Sequence, residues 1–154
     1  MLPLLARATA ISAGFHLNVF DFEGAEALQL EARQLAQSLG FAPPVVSAGI
    51  DQSHTKGRPK YEALGFVTRA HALHGLGKTR DAIADARQAV VVARGTADPA
   101  LLLLALDALL ALDGNDEMAA EAHALSDRIL GALPDEAMRQ RFTESEVVQR
   151  VRRW

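Results

Sequence analysis

The 154-residue chain contains no cysteine. That absence excludes a disulfide scaffold, a thiol-dependent enzyme, an iron–sulfur protein and a cysteine-ligated zinc site. A strong charge of one sign is missing too, with a net charge of -3 at pH 7 and a pI near 5.9. Dedicated nucleic-acid binders carry a strongly basic face, so nucleic acid is not an expected partner. β-Branched residues are scarce. Val, Ile and Thr together number 20, against 29 Ala and 22 Leu, a balance that favours helix over sheet. No apolar run approaches the roughly 20 residues that a membrane span needs; the longest, 100–106, is interrupted by Asp107. The opening Met1-Leu2-Pro3-Leu4-Leu5-Ala6-Arg7 has no basic stretch ahead of its apolar residues. It therefore does not read as a signal peptide, and a cytoplasmic location without a membrane partner is expected.

What remains is an Ala/Leu-rich chain, 49% hydrophobic and 23% charged, long enough to close one core without staples. The expected fold is all-α, a single domain over 1–154, with about seven to nine helices near 3–17, 22–39, 44–51, 60–75, 79–94, 99–112, 116–132, 135–141 and 144–152. The polar stretch 51–60 reads as a loop within that domain. Asp98-Pro99 supplies an N-cap acceptor followed by proline at the first helical position. Thr143 with Glu146 fits a capping box. Gly40, Gly77, Gly95 and Gly114 fall at helix ends, as left-handed C-terminal caps would.

The turns repeat. Leu76-Gly77-Lys78-Thr79-Arg80-Asp81-Ala82 and Asp113-Gly114-Asn115-Asp116-Glu117-Met118-Ala119 both place Gly five residues before Ala, and Asp21-Phe22-Glu23-Gly24-Ala25 is a weaker third copy. The first two lie 37 residues apart, a spacing typical of stacked helix hairpins that bury their apolar stripes only against neighbours. Phe66, Ala70, Leu73, Gly77, Ala82, Ala86 and Ala89, followed by Gly114 and Ala119 in the next copy, resemble the tetratricopeptide pattern of large, small and turn residues. The region from Tyr61 to Phe142 also resembles the C-terminal helical repeats of bacterial multidomain signalling ATPases, cyclases and MalT-like regulators. Asp107 and His123 depart from the pattern, the first where a small residue is expected and the second where a bulky apolar one is. The resemblance implies antiparallel hairpins at about 3–39, 60–94 and 99–132, closed by C-terminal capping helices over 135–152. It also implies a protein-interaction or sensing arm. In that register Leu64, Val67, His71 and His74, then Leu101, Leu104 and Ala108, line a concave groove for a partner peptide or helix. The alternative for the apolar members is complete cover by flanking helices.

Other motifs have duller explanations. The segment 72–79 satisfies a relaxed phosphate-loop pattern ending in Lys78-Thr79, but such a loop follows a buried strand, whereas 62–74 has helical periodicity. His71 and His74 share a helix face and are only two of the ligands a metal needs. The basic clusters 56–60 and 150–153 read as a solvated loop and a helix C-terminus. Most carboxylates, including Asp81, Asp116, Glu117, Asp135 and Glu136, fall at helix starts, where capping accounts for them. The expectation is thus a non-catalytic module for a protein or peptide partner, with no cofactor or metal. The alternatives are a structural homodimer, or a small nucleotide- or metal-dependent enzyme around Lys78, Thr79, His71 and His74.

Overall fold

The computed structural model describes Asp51, His54 and residues 57–154. The expected hairpin at 3–39, Gly40 and the weaker turn copy at 21–25 lie outside the described residues. Among the described residues all regular structure is helical: α1 (Pro59–Gly75), α2 (Thr79–Arg94), α3 (Pro99–Asp113), α4 (Asp116–Ala132), α5 (Glu136–Glu144) and α6 (Glu146–Val151). Asp51 and His54 also have helical backbone, so the expected 51–60 loop is shorter than the polar composition suggests. Gly57 takes φ +61, and its N–H donates to the His54 carbonyl at 3.0 Å.

Side-chain caps start three helices. Asp98, Asn115 and Asp135 accept from the N–H of Leu101, Met118 and Met138 at 3.2, 2.9 and 2.8 Å, each satisfying a donor that the first turn leaves open. The Thr143–Glu146 capping box does not form. Thr143 lies inside α5, and the break falls at Ser145, whose backbone is extended (ψ 142) and whose hydroxyl donates to the Phe142 carbonyl at 2.7 Å. The break turns Val147, Val148 and Val151 inward, and all three are fully buried.

The glycine caps differ from one another. Gly77 takes the expected left-handed conformation (φ +74), but Gly95 is right-handed (φ -74) and Gly114 extended (φ -72, ψ 150). In the α2–α3 connection the left-handed residue is Ala97 (φ 54). Gly114 is needed for space instead. A Cβ there would lie 2.6 Å from the Trp154 ring and 2.7 Å from the Leu110 carbonyl oxygen.

Helices α1 and α2 form a tight antiparallel pair. Ala63 and Ala70 of α1 and Ala82, Ala86 and Ala89 of α2 are all fully buried, and small side chains of this kind let helix axes approach closely. Helix α3 packs on both members of that pair, and α4 packs on α3. Helix α6 then packs on α3 and α4, with α5 against α4 and α6. Surrounded by α1, α2, α4 and α6, α3 is the apolar centre: from Ala100 to Leu110 only Leu102 is not buried. Each buried leucine contributes about 1.5–3 kcal/mol relative to exposure, so this one helix dominates the hydrophobic stabilisation.

Candidate functional site

The expected groove positions divide into two groups. Leu101, Leu104 and Ala108 are 2%, 7% and 1% exposed, and Leu64 and Val67 are 9% and 0%. These five are core residues, covered by the neighbouring helices, and do not line an open surface. The Leu64, Val67, His71, His74 row instead runs from buried to exposed along α1: His71 is half-buried and His74 exposed. Along that row, the exposed part is the C-terminal end of α1.

That end is held rigidly. The Gly77 N–H donates to the His74 carbonyl and the Lys78 N–H to the Leu73 carbonyl, both at 2.9 Å, the paired bonds of a Schellman motif with glycine in the left-handed position. The consequence is an apolar side chain displayed on a fixed turn, Leu76, which is 56% exposed. His74 and Lys78 flank it, both exposed. In the sequence, Leu76-Gly77-Lys78 reads as a connector between helices. The signal available was the unneeded apolar residue beside the turn glycine, since nothing in turn chemistry requires leucine there.

Of the packing positions, Ala70, Leu73, Ala82, Ala86, Ala89 and Ala119 are buried, Phe66 is half-buried, and the turn residues Gly77 and Gly114 join α1 to α2 and α3 to α4. Among the ion pairs that tie helices together, two with largely buried carboxylates lie at places the repeat pattern did not predict. Arg69 of α1 grips Asp85 of α2 through two bonds of 2.5 and 2.7 Å, and its guanidinium lies 5.4 Å from the Phe66 ring centre. The hydrogen bond to Asp85 raises the Arg69 pKa further. Asp107, 7% exposed in the middle of α3, accepts from Arg150 of α6 at 2.7 Å. Burial pushes the Asp107 carboxyl above the usual carboxylate range, and the hydrogen bond and charge of Arg150 draw it back. Arg150 thus belongs to a helix–helix contact and not to a solvated basic terminus. His123, the other departure from the pattern, donates through Nε2 to the Val151 carbonyl at 2.9 Å, fixing α4 to α6.

The remaining motif positions are surface features. Lys78 is the N-cap residue of α2 and Thr79 its first residue, and they follow helix α1, not the strand that a phosphate loop requires. Among the described residues no group of three or more His, Asp or Glu side chains is arranged to hold a metal ion. His54 Nδ1 lies 3.0 Å from Glu62 Oε1, and Lys60 pairs with Asp98 at 2.7 Å. None of the described helices is long and apolar enough to cross a membrane. Compared with family models, with curated proteins and with solved structures, the chain matches none.

Proposed function

We propose that the chain is a non-catalytic protein–protein interaction module of stacked, tetratricopeptide-like helix hairpins, regulatory or scaffolding in a bacterial signalling system. The observation that carries this reading is a recurring packing relation. Helix α3 lies on both members of the α1–α2 hairpin, and α6 lies in the same way on both members of the α3–α4 hairpin. Each hairpin is thereby covered by a helix from further along the chain, the first by α3 directly and the second by α6 after the short α5, as neighbouring units cover one another in a repeat stack.

The partner, a protein or a peptide, docks at the C-terminal end of α1, where His71, His74, Leu76 and Lys78 are presented together. A turn already fixed by its own hydrogen bonds loses little entropy on binding, which is the advantage of a preorganised surface. Affinity capture with the chain as bait tests the proposal. A protein retained by the wild type and by Val91→Glu, but lost from His74→Glu and Leu76→Glu, is the expected result. Retention by all four baits contradicts it. So does a rise in melting temperature with ATP–Mg or Zn, because only a ligand of the folded state stabilises it.

A further inference from the structure

We propose that α6 is an exchangeable strap, and that its seat on α3 and α4 accepts the same helix from a second copy of this chain. The inference stands apart from the proposed docking of a partner at α1. One residue, Ser145, separates α5 from α6, and its backbone is extended where a continuous helix over 136–151 would need it helical. Were Ser145 to turn helical, α6 would swing off its seat as the continuation of α5. Exchange of an identical element about a short hinge is the low-cost route to a dimer.

The seat selects its occupant. Val147, Val148 and Val151 are fully buried in it, and the otherwise apolar α3 presents one buried carboxylate, Asp107, to the Arg150 guanidinium. His123 adds the bond to the Val151 carbonyl. An empty seat deprives Asp107 of its counter-charge and opens the apolar surface of α3 and α4 to water, and a swung-out strap exposes Val147, Val148 and Val151. A second copy supplies a helix with the same valines and the same arginine, so reciprocal exchange removes both costs.

Two single-residue variants of the 154-residue chain test the exchange. Asp107→Arg and Arg150→Asp each put like charges at the seat, whether the strap comes from the same chain or from an identical copy. Mixed in equal amounts, the two give every seat an opposite charge only when straps cross between chains. Native mass spectrometry is expected to detect a heterodimer of about twice the 16.5 kDa chain in the mixture and in neither variant alone. The double variant Asp107→Arg/Arg150→Asp restores the pair within one chain; if it folds and the mixture gives no heterodimer, the proposal is overturned. If the double variant does not fold, the wild type decides. Isotope-labelled and unlabelled chains held at high concentration are expected to give a mixed-mass dimer that Arg150→Ala abolishes. No dimer, or one unaffected by Arg150→Ala, overturns the proposal.

Discussion

Arg150 Nη2 lies 2.7 Å from Asp107 Oδ2, across 43 residues of sequence, and joins the short last helix to the middle of the most apolar one. A lone carboxylate at that place in α3 would be expensive to bury, and Arg150 of α6 supplies the opposite charge. The pair specifies register: sliding α6 along α3 would keep its valines in contact with leucines but separate the charges.

Removing one partner should therefore cost more than removing both. Arg150→Ala is expected to lower unfolding free energy by about 2–3 kcal/mol, below the 3–5 of a fully buried pair, because the Arg150 side chain is 36% exposed and partly screened. Asp107→Leu combined with Arg150→Met should stay within about 1 kcal/mol of the wild type. Urea titration of the three proteins checks the order.

The same carboxyl gives a pH signature. Burial, the larger effect, raises the folded-state pKa of Asp107, and Arg150 opposes it. A group that holds its proton more tightly in the folded than in the unfolded state favours folding below its unfolded pKa, and that contribution fades as pH rises through the folded value. Relative to Asp107→Asn, the wild type should thus gain stability as pH falls through the acid range. Parallel stability profiles for the two proteins would show that Asp107 does not titrate in this way.

Close approach of α1 and α2 depends on alanine. Ala82→Leu or Ala86→Leu, each at a fully buried position, should cost about 1–3 kcal/mol through overpacking. Ala84→Leu, on the exposed side of the same helix, should change stability by less than about 0.5 kcal/mol. Thermal unfolding followed by circular dichroism distinguishes the two classes.

The two turn glycines should respond differently. Gly114→Ala drives a methyl group against the ring of Trp154, the one tryptophan in the chain, so its fluorescence emission should shift to the red. Gly77→Ala places an L residue at φ +74, which costs about 1–2 kcal/mol, and should leave the Trp154 emission of the folded protein unchanged.

Helix positions were the legible part of this sequence. The Asp98-Pro99 start and the turn at Gly77 are local signals, and α1 to α4 start and end within a residue of the expected 60–75, 79–94, 99–112 and 116–132. The break expected between 141 and 144 falls at Ser145 instead, because its place is set by the burial of Val147, Val148 and Val151 and not by a capping motif. The buried ion pairs were hidden for the same reason: Asp107 and Arg150 read separately as a flaw in a repeat and a basic terminus. At the candidate site, periodicity put Leu64, Val67, His71 and His74 on one face correctly, but only the packing of neighbouring helices decides where along that face burial ends. The Leu101, Leu104 and Ala108 positions went to the core because α3 has neighbours on every side.

The decisive measurement is site-specific photo-crosslinking in living cells, with a photoreactive residue at position 74 and, as a control, at position 91, where Val91 is 60% exposed on α2. A discrete crosslinked partner from position 74, absent from position 91 and lost on adding Leu76→Glu, is the expected result. Equal yields from the two positions, or crosslinks from position 74 to the chain's own copies alone, would contradict a partner-binding surface at the end of α1.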